Sequence, residues 1–473
     1  MAIAQKAKSY TATQAVRLLG SVLAGASDAN LIRLTKALEV IAPYEVYKRE
    51  MRQLRELFER KAPALELARR FFRGLHPNYR RRMIRNLAVN AAYMSASKRE
   101  ALAKRGLAGP FLIVISPTMR CNLRCTGCYA FNYTRADDLP FDVVDRVITE
   151  AKEQGAYFFT ITGGEPFIRD DLLEIYKKHN DCAFQIYTNG TLITDEVIEK
   201  LVECGNVGPA ISIEGWEEQT DARRGPGTFK RIMDTMDRLK EARALFGFSG
   251  TVTRYNADII SSSEFIDLMV EKGCLFGWYF IYIPIGREPD TSLMPTPEQR
   301  QQHRERVWHA RRTKPIFVAD FWNDGALTGG CMAGGRLYAH VNNKGDLEPC
   351  VFCHFSTDNI KEKSLGEALN SPFFRAIRGR FPWSANHLTP CMIIDHPCVL
   401  RECVEEAGAH GTHEGAETIV TDLAPDLDRY SAELEKVTEP IWAELKDTIW
   451  PDCIRREIER ERQEKERQAA TVH

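Results

Sequence analysis

From Gly109 onward the chain alternates short apolar runs with amphipathic helical patterns. That alternation restricts the fold more than any other feature of its 473 residues. Phe111–Ile115, Tyr157–Thr162, Ala183–Thr188, Ala210–Ile213, Gly247–Thr253 and Trp278–Ile283 read as strands. Phe141–Gln154, preceded by Pro140, carries Val143, Val144, Val147, Ile148 and Ala151 at helical spacing, and Asp195–Cys204 reads as a second helix. A series of this kind implies a parallel sheet, open or closed into a barrel.

Residues 1 to about 108 read instead as helices. Tyr47, Met51, Leu54 and Phe58 mark one helical face, Ala64–Arg73 a second helix, and a third runs from Arg80 to about Tyr93 after the turn Gly74–Asn78. This head holds 22 Lys and Arg against 8 Asp and Glu, whereas the remainder holds 42 against 57. The polarised charge, with aromatics among cations in Arg69–Arg73 and Tyr79–Arg82, points to an anionic surface as partner. The competing reading is a helical cap whose arginines pair with the acidic body. Thr13–Ala29 is expected to be an amphipathic helix of a cytosolic protein rather than a signal peptide, because Arg17 interrupts a short apolar run. No run of about 18 apolar residues is present, so no membrane-spanning helix is expected. The head contains no recognised nucleic-acid motif.

The sharpest chemical signal is Cys121-Asn-Leu-Arg-Cys125-Thr-Gly-Cys128-Tyr129, just after the first strand of the α/β region. Three thiolates on one short loop suit three corners of an iron–sulfur cube, leaving one iron open. A zinc site with a distant fourth cysteine is the alternative, although zinc sites usually come as two C-x2-C pairs. Gly163-Gly164-Glu165-Pro166 follows the next strand. Further on, Cys331-x13-Gly345-x4-Cys350 is followed by Cys353, Cys391, Cys398 and Cys403. Cys182, Cys204, Cys274 and Cys453 stand alone and read as packing residues. A short helix fits Leu365–Arg378, and Tyr430–Arg467 reads as a closing helix.

Over about residues 109–405 the sequence resembles the radical S-adenosylmethionine (radical SAM) superfamily, with a SPASM/twitch-like extension. The resemblance implies an α/β fold: a partial (βα)6 TIM-type barrel with an N-terminal helical domain and a Cys-rich C-terminal extension. The expected divisions are a basic helical domain at 1–108, the core at 109–320, the auxiliary-cluster region at 321–410 and C-terminal helices at 411–473. The cofactors implied are a SAM-binding 4Fe–4S cluster on Cys121, Cys125 and Cys128, SAM itself, and one auxiliary 4Fe–4S cluster. Cys331 and Cys350 are its surest ligands, completed from Cys353, Cys391, Cys398 and Cys403. Gly163, Gly164, Glu165 and Pro166 correspond to the element that meets the SAM amino group. Asn189, Ser212, Glu214 and Arg224 are further cofactor-binding candidates, with Thr253 and Asn256 on the next strand end.

The implied reaction is reductive cleavage of SAM to a 5′-deoxyadenosyl radical that takes hydrogen from an unactivated carbon. An external one-electron donor of the flavodoxin or ferredoxin type would feed it. The basic head and the apolar stretch Trp278–Pro284 favour a lipid substrate, with the protein cytoplasmic and peripheral on the inner face of the membrane. A SPASM-type peptide or protein maturase is the alternative. A non-catalytic iron–sulfur scaffold or electron carrier is a third reading, which would not need the Gly163–Pro166 element.

Overall fold

The computed structural model describes residues 27–42, 45–130 and 134–449. Six parallel strands follow one another in chain order: β1 (Leu112–Thr118), β2 (Phe158–Gly163), β3 (Ala183–Thr188), β4 (Val207–Ser212), β5 (Gly247–Val252) and β6 (Phe276–Ile281). The partial (βα)6 arrangement is therefore present, and both of its edges are extended. β7 (Phe317–Asp320) adds parallel to β6, and β8 (Tyr338–Val341) adds parallel to β1. β9 (Leu347–Glu348) runs antiparallel to β8. A separate two-stranded pair joins β10 (Phe355–Ser356) to β11 (His410–Gly411).

The strands are continuous apolar runs because helices cover them. All seven residues of β1 are buried, and Ile113 and Ile115 sit opposite Phe159 and Ile161 of β2. Helix Phe141–Glu153 turns Val144, Val147, Ile148 and Ala151 onto this layer. Helix Asp195–Cys204 starts where the Thr194 side chain accepts from the Val197 amide, and it stops at left-handed Gly205. Two helical expectations change. Leu365–Arg378 is broken into Leu365–Ala368 and Pro372–Arg380, since Pro372 lacks an amide to continue the first helix and opens the second behind the Ser371 cap. The closing helix begins earlier, at Ala424, and is described to Ile449. The rest of the expected closing helix, Cys453 and residues 13–26 lie outside the described residues. Cys182 and Cys274 are fully buried packing residues, and Cys204 is half-buried.

In the head, helix Pro63–Arg69 passes into a π-helical turn, Arg70–Gly74, and helix Pro77–Met83 into a longer one, Ile84–Met94. Of the cations and aromatics expected at a membrane, some dock on the barrel and others are bonded within the head. Arg70 donates to the carbonyls of Pro315, Val270 and Cys274 at 2.6, 3.0 and 2.9 Å. Arg243 of the barrel returns the arrangement, donating to Arg73, Gly74 and Leu75 carbonyls at the end of the π turn. Arg69 pairs with Asp28, Arg80 donates to the Phe72 carbonyl, and Tyr79 is fully buried. Asn86 and Asn90 bind carbonyls of residues 180–182 at the entry to β3. The head is thus a cap, and it meets the body mostly through backbone carbonyls rather than the expected acidic side chains. Among the described residues no helix is long and apolar enough to cross a membrane.

This docking gives a first prediction. Arg70→Met leaves the Pro315 and Cys274 carbonyls without that donor, while Val270 keeps the Gly273 amide, at a cost of about 2 kcal/mol or more. Hydrogen exchange is expected to accelerate over residues 63–94 while the strands keep their protection. Unchanged exchange there would show that Arg70 does not hold the cap.

Candidate functional site

The C-terminal ends of β2–β6 open onto one cavity. Thr160 and Thr162, Thr188, Ser212, Ser249–Thr251 and Phe280–Ile283 contribute to its wall. Cys121, Cys125 and Cys128 line it from the loop after β1, and Cys331, Cys350 and Cys391 line it from the C-terminal region. Two cysteine groups more than 200 residues apart in sequence thus share one enclosure.

The triad loop is pinned from several sides. Tyr129 donates to the Gly163 carbonyl at 3.1 Å. Arg223 donates to the carbonyl of Thr126, and Arg287 donates to that of Cys125 at 2.9 Å. Asn189 sends its side-chain N–H toward the Cys121 sulfur at 3.8 Å and to Asn122 at 2.8 Å, while the Leu123 amide donates to the same sulfur at 3.4 Å. Three thiols among N–H donors suit an iron–sulfur cluster, whose sulfurs accept such bonds.

Gly163 and Gly164 line the cavity, but the backbone explains their identity first. The Gly164 amide donates to the Thr118 carbonyl and the Glu165 amide to that of Arg120, at 3.0 and 2.8 Å. A Cβ on Gly164 would lie 2.0 Å from the Arg120 carbonyl oxygen, one residue before Cys121, and one on Gly163 would lie 2.0 Å from that of Thr118. A simple loss of SAM contact is therefore too mild an expectation for Gly164→Val. That variant should push the triad loop out of place and lose the low-field cluster spectrum as well as SAM affinity. An intact spectrum with weakened SAM binding would restore the milder view.

Glu165 and Pro166 are buried behind the wall rather than in it. Glu165 does not present its charge to the cavity. Its carboxylate accepts from the Phe167 amide, the Thr188 hydroxyl and the Asn189 amide at 3.1, 2.8 and 2.7 Å, and so fixes the turn that carries Asn189. Burial pushes this carboxyl up to about 7 against the pull of those donors. Glu214 is likewise 1% exposed and off the wall. It accepts from Arg223 at 2.6 Å and from Arg224 Nε at 2.9 Å. Burial alone would raise its carboxyl, but the two guanidiniums hold it below the usual range. Arg223 and Arg224 themselves line the cavity, with Glu214 fixing both. Ser212 shares a 3.1 Å hydrogen bond with Ser249, and both face the cavity. Thr253 and Asn256 are buried off the wall, where Asn256 ties Glu214 and Thr251 carbonyls together.

The six C-terminal cysteines separate into four and two. Burial raises the thiols of Cys331, Cys350, Cys353 and Cys391, and neighbouring cysteine thiolates of the same group add to the rise at Cys350, Cys353 and Cys391. The amides of Ala333 and Ile393 donate to the sulfurs of Cys331 and Cys391 at 3.4 Å, and the Tyr338 hydroxyl donates to Cys350 at 2.8 Å. Cys391 is further held by a buried ion pair. Arg300 donates to Asp395 at 2.5 and 3.0 Å, and Asp395 accepts from the Cys391 amide at 3.0 Å. Cys398 and Cys403 sit apart on helix Pro397–Ala407. Cys398 is exposed, and Cys403 has Arg380, Glu402 and Glu406 as charged neighbours. Spacing alone did not separate these two from the other four.

Sequence reasoning also missed Arg223, Arg287, Ser249 and an aromatic wall. Phe280 stacks on Phe321 with centroids 5.2 Å apart and planes 15° off parallel, while Trp322 packs on Phe352 at 5.3 Å. Only Phe280 lay in a stretch whose pattern drew attention.

A parallel α/β sheet that gathers two cysteine groups around one cavity suits an iron–sulfur protein. The Radical SAM superfamily model matches residues 115–254, and the model of the SPASM iron–sulfur cluster-binding domain matches residues 331–394. The chain belongs to the radical SAM superfamily: it is 30% identical over 312 residues to the mycofactocin maturase MftC of Mycolicibacterium smegmatis, covering 61% of this chain and 77% of that one. It is also 28% identical over 299 residues to the AdoMet-dependent heme synthase of Methanosarcina barkeri, covering 57% and 85%. The SAM-bound crystal structure of Streptococcus suis SuiB superposes with a TM-score of 0.54 at 19% identity, covering 69% of this chain and 84% of that one. The cofactors of the protein are accordingly SAM and 4Fe–4S clusters.

Proposed function

We propose that this enzyme is a SPASM-type maturase that modifies a side chain of a peptide or protein. The observation that carries the reading is the shared cavity, with Cys121, Cys125 and Cys128 on one wall and Cys331, Cys350 and Cys391 on another. Cys121, Cys125 and Cys128 would hold the SAM-binding cluster, which with SAM would supply radical hydrogen abstraction from an unactivated carbon. The chain's own residues do the rest. Arg223 and Arg224, fixed by Glu214, offer guanidinium N–H groups to a carboxylate. Asn189 and the Gly163–Gly164 backbone shape the floor beside the triad, and Ser212 with Ser249 offers hydroxyls. Phe280, Phe321, Trp322 and Phe352 exclude water from the space between the cysteine groups, which protects a reactive carbon from side reactions. Cys331, Cys350, Cys353 and Cys391 would hold the auxiliary cluster, which would supply an electron acceptor at that side of the cavity. An external one-electron donor feeds the triad side.

The likeness to a maturase supports a peptide. The lipid reading is weakened, because Arg70 and Tyr79 of the head dock on the barrel while Arg69 and Arg80 are bonded within the head itself. A tetrapyrrole is the second reading, favoured by the flat Phe280–Phe321 pair and the likeness to a heme synthase. The deciding experiment incubates the reconstituted enzyme anaerobically with SAM, dithionite and separate peptide, tetrapyrrole and lipid fractions of a cell extract. The expected result is a peptide whose mass falls by whole hydrogens in step with 5′-deoxyadenosine. Mass change confined to the tetrapyrrole or lipid fraction would overturn the proposal.

A further inference from the structure

Behind the cysteine loop, three buried ligating side chains from separate segments converge. Glu348 ends β9, His354 directly follows Cys353, and His413 follows β11. They are 0, 3 and 5% exposed, and each offers a ligand atom within 4.8 Å of the others. We infer that Glu348, His354 and His413 form a binding site for a divalent metal of the zinc class, separate from both cysteine groups.

The surrounding bonds are those a metal site needs. The His354 ring nitrogen Nε2 lies 3.2 Å from the Val351 carbonyl. As a donor to that oxygen it leaves Nδ1 with the lone pair that binds a metal, the usual arrangement for a ligating histidine. Glu348 is oriented at both oxygens. His340 Nδ1 lies 2.6 Å from Oε2, while Asn342 and Thr412 donate to Oε1 at 2.9 and 2.6 Å. His340 is in turn 2.7 Å from the Ser116 hydroxyl. His413 Nε2 stands 3.7 Å from Glu348 Oε1. That is too long for a hydrogen bond, and because Oε1 already accepts from Asn342 and Thr412, the carboxylate lone pair left for an ion is on Oε2. The two imidazole centroids are 4.3 Å apart and tilted by 48°, so neither ring stacks flat on the other.

Two imidazoles and a carboxylate favour zinc over calcium or magnesium, which prefer oxygen. Three protein ligands leave the fourth tetrahedral position to water. The Thr412 amide donates to the His354 carbonyl at 3.0 Å, so the ion would staple the β11 segment to the loop that carries Cys350 and Cys353. The simpler reading is a metal-free contact between His413 and the Glu348 carboxylate.

The test measures zinc, iron and sulfide together in full-length protein purified anaerobically without chelator. About one zinc per chain is expected beside the cluster iron. Zinc-edge absorption should show nitrogen and oxygen neighbours at about 2.0–2.1 Å and no sulfur at about 2.3 Å. His413→Asn should lose the zinc and keep the iron and sulfide. Absence of zinc, a zinc–sulfur shell, or zinc unchanged in His413→Asn would each overturn the site. If His413→Asn does not fold, the wild-type absorption spectrum decides alone.

Discussion

Alanine at Cys121, Cys125 and Cys128 together is expected to reduce 5′-deoxyadenosine formation to the uncatalysed background while leaving about four irons bound per chain. The expectation follows from the donor set. The three thiols face the cavity from one loop, and the other thiols on its wall belong to Cys331, Cys350 and Cys391. Those three are held in place by backbone amides, by Tyr338 and by the Arg300–Asp395 pair, so they are not free to replace the triad. The fall should exceed about a thousandfold, equivalent to more than 4 kcal/mol at the transition state. Anaerobic assay with dithionite and SAM measures it. Residual SAM cleavage near the wild-type rate would remove the triad from the mechanism. Loss of all iron would instead show that the C-terminal thiols do not hold a cluster by themselves.

The second large effect separates the six C-terminal cysteines. Cys350→Ala with Cys391→Ala should remove about four irons per chain and abolish modified product, while SAM cleavage by the intact triad continues. Cys398→Ala with Cys403→Ala should retain every iron and most of the product. The contrast rests on placement. The first pair lines the cavity beside Cys331, whereas Cys398 is exposed and Cys403 lies among Arg380, Glu402 and Glu406. Truncating buried Cys403 removes little volume and should cost about 1–2 kcal/mol of stability. Equal loss of iron from both double variants would sink the four-cysteine assignment.

Local pattern made much of this protein legible. Each strand of the barrel is a short apolar run bounded by turn residues, so the order β1 to β6 was readable within a few residues at each end. Helix Asp195–Cys204 was readable to both of its ends, because a threonine cap and a glycine stop are encoded locally. The triad was readable because its three thiols lie within eight residues, where spacing is geometry. Glu165 and Glu214 were found as residues but not as parts. Their carboxylates turn away from the cavity to hold Asn189 and the two arginines, and only packing sets that direction.

What the tertiary structure alone decided are the long-range meetings. Charge counting saw a basic head but not that Arg70 and Arg243 end on backbone carbonyls, which carry no formal charge and leave no mark in composition. The proposed choice of Cys353 and Cys391 over Cys398 and Cys403 rests on a helix, Pro397–Ala407, that carries the latter pair. The Glu348, His354 and His413 cluster draws on three segments with no shared spacing. A chain's sequence therefore determines the groups that act within a loop or a turn of helix, where chain geometry fixes distance. Groups that act across the fold are decided by packing, because their separation along the chain says nothing of their separation in space.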